Sequence, residues 1–342
     1  MIPTSYTPDQ VTCLLTPYMG GLLSVREKEE SLREGGYYGD MLSIEDLPSP
    51  EYLAIFDHQL ALLADRLAPY IWRLADRIQA DRPDGPLVLV SLARAGTPIG
   101  VVLTEWLRSA GRDVHHYTAS VIHKYGFDVH ALFHLLKQHE PGDLVFLDGW
   151  VSQGRITRAL QMTMAEVPDV DSTLYCLSDP SGIQDATATR TDLLLPSAVL
   201  NAAVSGLMSR TVHNPRGFDF SAYYPDHAKI DRTQAFVAAL RHALNKCSGP
   251  SSEMLLPGRE QRLLAQSQIA TWCMKHQTTP DRIKAGIGEV SRSLLRRQPL
   301  LVEVAPDADD EAAHLRYLAG LHQVPFRVTP LNGPFRAFSI LE

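Results

Sequence analysis

Between residues 87 and 179 the chain alternates short apolar runs with helical stretches, and that alternation limits its possible folds more than any other feature. LVLVSL (87–92) has strand character and leads into TPIGVVLTEWLRSAG (97–111), a helix with Thr97 as cap and Pro98 in its first turn. DVHHYTAS (113–120) is followed by the helix DVHALFHLLKQH (128–139), and LVFLD (144–148) by a helix over 154–166. STLYCLSD (172–179) and DLLLP (192–196) read as further strands. Apolar strands of this length separated by helices predict an α/β fold, a parallel sheet covered on both faces. Ligands of such sheets bind outside the carboxyl ends of the strands. SLARAG (91–96) and DGWVSQGRIT (148–157) belong there.

On either side of this block the pattern changes. VREKEESLREGG reads as a short charged helix ended by Gly35 and Gly36, and residues 51–80 carry leucines, isoleucines and Phe56 at helical spacing, with Pro69 as a kink or a break. NKCSGPSSEMLLPG (245–258) has the composition of a linker, which divides the chain into domains over 1–249 and 250–342. The second has helices near 259–276, 288–297 and 310–322, and strands at 300–305, 325–329 and 335–341, a small α/β unit.

Charge narrows the partners. The chain has 32 Lys and Arg against 39 Asp and Glu, a net of −7, which disfavours a protein coated with nucleic acid. The second domain, with 11 basic and 10 acidic residues, leaves room for a local basic patch. Cys13, Cys176, Cys247 and Cys273 are far apart and form no CxxC pair, so a disulfide framework and a zinc site are not expected. There is no secretory leader and no run of 18 apolar residues, so the expectation is a cytoplasmic protein without a membrane span.

The two loops share one chemical logic. A phosphate needs several donors converging on its oxygens, and the first turn of a helix supplies them where glycine and small hydroxyl residues let it approach. In SQGRIT, Ser152 and Thr157 offer hydroxyls, Gly154 offers backbone, and Asp148 upstream is placed to accept from a ribose hydroxyl. In SLARAGTPIG, Arg94 brings a fixed positive charge, Gly96 an unusual backbone and Thr97 a cap, a match for pyrophosphate.

Together the loops resemble those of the type I phosphoribosyltransferases, whose central motif is an apolar strand, two acidic residues and a Thr/Ser-Gly phosphate loop. VFLDGWVSQGRIT follows that order. The resemblance implies Asp148 at the ribose, Ser152, Gln153, Gly154, Arg155 and Thr157 around the 5′-phosphate, and Arg94, Ala95 and Gly96 around the pyrophosphate of phosphoribosyl pyrophosphate. It also implies a magnesium ion that bridges pyrophosphate and ribose, with Asp148 as its contact and Asp148 and Arg94 as the catalytic pair. One position departs from the motif: Gly149 stands where the second acid belongs. More narrowly, SLARAGTPIG, LDGW and LNAAVSGLMSRTV resemble a bacterial family found beside tellurium-resistance genes, a phosphoribosyltransferase-like domain followed by a Pelota-type RNA-binding domain. That family also carries the name StiP and the description cysteine protease.

Other residues near strand ends complete the inventory. His123 and Lys124 lie on a segment (121–128) placed to close over the site, and Asp179 in SDPSG is a candidate for magnesium or an acceptor nitrogen. Asn201, Ser205, Ser209 and Arg210 follow, with the two serines four apart and so on one face of a helix. Thiol hydrolysis, the second chemistry, needs a thiolate near a histidine, and none of the four cysteines sits in a protease-type signature. A third reading is a ligand sensor without catalysis that controls RNA. RIKAGIGEVSRSLLRR (282–297) has five basic residues and one acid. It resembles the Pelota module at Lys284, Gly286, Gly288, Glu289 and Arg292, which the resemblance assigns to RNA. A homodimer is compatible with this reading.

Overall fold

The computed structural model describes residues 1–341. Six parallel strands form the main sheet in the order Thr12–Cys13, Val114–Ala119, Leu87–Leu92, Leu144–Trp150, Leu174–Ser178 and Thr187–Thr189. Strands buried on both faces explain the continuous apolar runs. Leu87, Leu89, Val145 and Leu147 pack under the helices Pro50–Asp81, Thr97–Ser109 and Thr233–Lys246. Val88, Val90, Leu144 and Phe146 pack under Val129–Leu136 and Arg155–Met164. Each fully buried valine, leucine or phenylalanine contributes about 1.5–3 kcal/mol relative to exposure. The expected α/β architecture with a parallel sheet is therefore present. Among the described residues no helix is long and apolar enough to cross a membrane.

The strand order fixes where a ligand can enter. From Leu87–Leu92 the chain crosses to Val114–Ala119 on one side and then to Leu144–Trp150 on the other. The direction of winding reverses between the 87–92 and 144–150 strands, and the crevice beyond their carboxyl ends is the position that open α/β sheets use for ligands. The loops after these strands touch. A Cβ at Gly96 would lie 2.6 Å from the Leu147 carbonyl oxygen and 3.1 Å from the Asp148 Cα, so only glycine lets the 93–96 turn approach the end of the neighbouring strand this closely.

Several local expectations change. DLLLP is no strand: Leu193, Leu194 and Leu195 fill the core from an irregular segment, and the edge strand is Thr187–Thr189. The stretch after Asn201 is not a helix, because Gly206 (φ 76°) and Leu207 (φ 61°) turn the chain out of a short 3-10 turn at Asn201–Val204 into the strand Met208–Val212. Ser205 and Ser209 therefore do not share a helical face. Ser205 bonds the Asn201 carbonyl at 2.6 Å, and Ser209 accepts from the Ala222 N–H at 2.8 Å. Pro69 lies inside one continuous helix. Thr97 is the first helical residue, with Gly96 at the cap position, and the Thr97 hydroxyl bonds that of Thr118 at 2.8 Å.

A second sheet has the order Ile283–Ala285, Ala337–Ile340, Leu301–Val304 and Phe326–Val328. Its helices are Gly258–His276, Ile287–Arg296 and Ala313–Leu321. The Ile283–Ala285 strand, only three residues with a lysine at its centre, has no pattern that a sequence reading can detect. This unit docks on the carboxyl ends of the main sheet and roofs the crevice. Replacing Gly96 by alanine should cost about 1–3 kcal/mol of stability in urea unfolding, because backbone must move to admit the methyl group. Gly142→Ala, where nothing lies within 4 Å of the added carbon, should stay within about 0.5 kcal/mol of the parent. Equal stabilities for the two variants would contradict the close approach.

Candidate functional site

Beneath the second unit lies a cavity of about 420 Å³, lined by the 92–95 turn, Val121–His123, Asp148, Arg155, Arg210 and, from the second unit, Lys284, Glu289, Arg292, Arg296 and Arg297. The Tyr37–Gly39 segment of the N-terminal extension also lines it. Six arginines and one lysine line the space, against the carboxylates of Asp148, Asp281 and Glu289. Positive charge therefore predominates in a partly desolvated space. Tyr38 registers that field: burial raises its phenol, yet Arg210, Arg296, Lys28 and Arg297 outweigh burial and bring it down to about 8. The Arg210 guanidinium lies 4.3 Å from the centre of the Tyr38 ring and donates to the Tyr38 carbonyl at 2.6 Å.

Asp148 sits at the end of its strand with its carboxylate at the cavity wall, 8% exposed. One oxygen accepts from the Gly149 N–H at 2.7 Å. Burial pushes the carboxyl up to about 6, with Arg292 and the Gly149 N–H opposing and Glu289 adding to the rise. Gly149 faces the other way. A Cβ there would meet Leu195 at 3.0 Å and the Ala95 carbonyl oxygen at 3.2 Å, so a second acid at this position would need its neighbours to give way by a few tenths of an ångström.

Arg94 also reaches the cavity, but its guanidinium is engaged. It donates to Glu45 of the N-terminal extension at 2.6 Å and to the Met208 carbonyl. Burial raises Glu45, but Arg94 and Arg296 more than offset this and hold its carboxyl below the usual value. Arg94 thus enters as half of a buried ion pair, and its partner Glu45 lies in no sequence motif. Ala95 lines the cavity and Gly96 packs behind it.

The 152–157 loop divides its duties. Gly154 takes φ 69° at the start of the Arg155–Met164 helix, and Arg155 points into the cavity. Ser152 donates to the Ala285 carbonyl at 2.6 Å and so ties the loop to the second unit. Ser152, Gln153 and Arg155 also line a second space of about 720 Å³ facing the Gly258–His276 helix. Thr157 is turned into the core and accepts from the Gln184 amide. Asp179 does not reach the cavity. It is fully buried, paired with Arg190 at 2.7 Å and bonded by Ser181 and the Gln184 N–H, which leaves it a structural role. His123 is exposed at the cavity rim, while Lys124 lies over the rings of Tyr37 and Tyr125 on the short Val121–Ile122/Gly126–Phe127 hairpin.

The positions that the sequence assigned to RNA face inward. Gly286 (φ 95°) opens the Ile287–Arg296 helix, and Asp192 of the first domain accepts from the Ile287 N–H with both oxygens at 3.1 Å and from the Arg336 N–H at 2.8 Å. Burial pushes Asp192 up to about 7 against these bonds. The helix N-terminus is therefore capped by protein. A Cβ on Gly288 would strike the Trp150 indole at 2.7 Å, and the Arg292 guanidinium stacks 4.1 Å from the centre of the same ring. Trp150 is thus a docking residue between the domains. Glu289 pairs with Arg292 at 2.7 Å. Among the described residues, no protein group makes a hydrogen bond or ion pair to the side chain of Arg155 or Lys284.

The thiols are arranged differently. Cys13, Cys176 and Cys273 are buried, and burial pushes each thiol up, that of Cys13 to about 12. Cys247 donates to the Gly249 carbonyl at 3.1 Å. Among the described residues no histidine hydrogen-bonds any of the four.

Truncating Asp192 to alanine should leave two buried N–H groups without their acceptor and cost about 1–3 kcal/mol in urea unfolding of the full chain. Asp192→Asn keeps an acceptor and should cost less. An alanine variant as stable as the parent would show that this carboxylate does not hold the domains together.

Comparison with known proteins places the chain. Residues 4–241 match the family described as "Tellurite-like stress resistance cysteine protease StiP", and residues 266–342 match the PELOTA RNA binding domain. The chain is 30% identical to "Cysteine protease StiP" of Acinetobacter baylyi, over 99% of its own length and 94% of that protein's. Among solved structures, the HGPRT-ase of Leishmania tarentolae in complex with GMP matches 39% of this chain and 74% of its own at 16% identity, with a TM-score of 0.29, a likeness too slight to build on. With a match across more than half of its length and a relative aligned nearly end to end, the chain belongs to the StiP family and carries a C-terminal Pelota-type domain.

Proposed function

We propose that the interdomain cavity binds a phosphorylated sugar of the phosphoribosyl pyrophosphate type and that the protein is a phosphoribosyltransferase-like enzyme. The observation that carries this reading is the meeting of Asp148 with a wall of cations at the switch point of a parallel sheet. A carboxylate accepts from ribose hydroxyls, arginines hold phosphate oxygens, and a roofed cavity excludes water from the sugar's C1′.

Magnesium fits this donor set in one way. Among the described residues no three acidic, histidine or cysteine side chains gather to hold an ion, so it would be held on the ligand's own oxygens with Asp148 beside it. When bound, it neutralises charge on a departing pyrophosphate. The chain's own part is positioning: Asp148 orients the ribose, and Arg155 and Arg210 hold anionic oxygens. Glu45 occupies the Arg94 guanidinium, so Arg94 reaches a pyrophosphate only after that pair opens.

Calorimetric titration with phosphoribosyl pyrophosphate and magnesium tests the reading. The parent should bind and Asp148→Asn should bind at least tenfold more weakly. Absence of binding to the parent would reject the reading. The pH dependence has a fixed sign. Asp148 must be ionised to accept from hydroxyls, so affinity should fall as pH drops below about 6, by up to about tenfold per pH unit, and the asparagine variant should lose that slope. The linked effect on stability has the opposite sense. The folded value lies above the ordinary 3.8, so the stabilising contribution of this proton is full below 3.8 and is lost as pH rises through about 6.

A second reading, cysteine protease, is supported by the names of the family and of the relative. It requires one of the four thiols to meet a base through a rearrangement. If it holds, one single Cys→Ala variant should lose hydrolysis of an unstructured protein substrate by roughly a thousandfold or more, with its thermal midpoint unchanged. Full activity in all four variants would exclude a cysteine nucleophile. RNA binding through the Pelota-type domain would need a face other than Lys284, Gly286, Gly288, Glu289 and Arg292, which line the cavity or pack against the first domain.

A further inference from the structure

The two domains each contribute one cation whose side chain, among the described residues, makes no hydrogen bond or close ion pair with the protein. Arg155 leads the helix after the 152–154 turn, and Lys284 stands at the centre of the Ile283–Ala285 strand. Both line the same cavity. Burial depresses the Lys284 ammonium, the carboxylate of Glu289 opposes this, and the charge of Arg155 adds to it, while Arg155 also acts on the carboxyl of Asp281. Their neighbours are tied: Arg292 to Glu289 at 2.7 Å, Arg297 to Glu29, and Arg296 to Asn201 at 2.8 Å. Arg296 Nε is buried without a partner among the described residues. Two cations from different domains thus line one roofed space without a hydrogen bond or close ion pair, with the carboxylates of Glu289 and Asp281 in the same lining. An anion held by both would give each a direct partner.

We infer that the Pelota-type domain supplies half of a phosphate subsite: Lys284 and Arg155 clamp one phosphate group of the small-molecule ligand across the domain boundary. The inference rests on the anion-site reading above and deepens it. Lys284 then serves the ligand of the cavity and not a free RNA face. The surroundings agree, since Gly286 is closed off by Asp192 and Gly288 by Trp150, and a nucleic-acid strand has no open approach to these positions in this arrangement. The second domain also becomes obligatory for affinity, because the cavity has no roof without it.

The test is calorimetry on the full chain with three probes: phosphoribosyl pyrophosphate with magnesium, ribose 5-phosphate, and inorganic pyrophosphate. A short 5′-phosphorylated single-stranded RNA serves as comparison. Lys284→Gln should weaken the best-bound small probe at least tenfold, Lys284→Arg should restore most of that loss, and Arg155→Gln should mirror Lys284→Gln. The thermal midpoint of the unliganded Lys284→Gln protein should not fall, since burial of the ammonium outweighs the attraction of Glu289. Undiminished affinity of Lys284→Gln for a small probe that the parent binds would overturn the inference. If RNA affinity alone fell, Lys284 would belong to RNA. Binding of pyrophosphate but not of the two sugar phosphates, weakened in Lys284→Gln, would uphold the clamp and remove the phosphoribosyl reading. No binding of any small probe to the parent would remove both.

Discussion

Asp192 accepting from the Ile287 and Arg336 N–H groups is the contact on which the architecture turns. It takes a carboxylate from the irregular segment that follows the last strand of the main sheet and seats it on the first turn of a helix in the second unit, where the dipole favours negative charge. With it come Gly288 against Trp150, Ser152 on the Ala285 carbonyl, and Gln59 bonded to His314, whose other ring nitrogen meets Ser291 at 2.6 Å. Glu311 joins the network through Arg66 at 2.8 Å and Arg336 at 3.2 Å. Polar contacts this buried tolerate little displacement, because each unpaired group costs about 1–3 kcal/mol. The docked unit is therefore held in one position, and the space beneath it has a fixed shape and charge.

Docking also changes what each domain is for. A parallel sheet with glycine-eased turns at its switch point places Asp148 and Arg155 at one end of the sheet, open to water on their own. The second unit closes that crevice and carries in Lys284, Arg292, Arg296 and Arg297. The N-terminal extension adds a third side, with Tyr38 under the arginines and Glu45 on Arg94. Glu45 sits on the very guanidinium that the loop pattern reserved for pyrophosphate. The protein thereby satisfies a buried cation with its own carboxylate, and any ligand that needs Arg94 has to displace it.

Much of this was legible in the sequence, and the remainder was hidden for identifiable reasons. Strand–helix alternation from Leu87 onward gave the parallel sheet, since two-sided burial leaves a continuous apolar signature. Asp148, Arg155 and the 92–95 turn could be placed at one end of the sheet because they directly follow or end its strands, and they do line one cavity. DLLLP misled, as a buried irregular segment is as apolar as a strand. Asp179 looked available only because its partner Arg190 lies 11 residues on and pairs through the fold. Thr157 looked like a phosphate ligand until Gln184 claimed it. Lys284, Gly286, Gly288 and Arg292 carried the pattern of an RNA surface, and no local pattern reports that a neighbouring domain covers that surface. Glu45 and Asp192 are single acids without a motif, and only the tertiary fold gives them a role.

The family's name and the geometry of the cavity point to different chemistries, and the thiols mark the difference. Burial pushes Cys13, Cys176 and Cys273 away from the thiolate form, whereas cations predominate in the lining of the cavity. A crystal of the full chain grown or soaked with phosphoribosyl pyrophosphate and magnesium decides between them most directly. The expected result is the sugar phosphate inside the interdomain cavity, its ribose at Asp148 and one phosphate between Arg155 and Lys284. A ligand seated elsewhere, or a cavity that stays empty under saturating conditions, would contradict it.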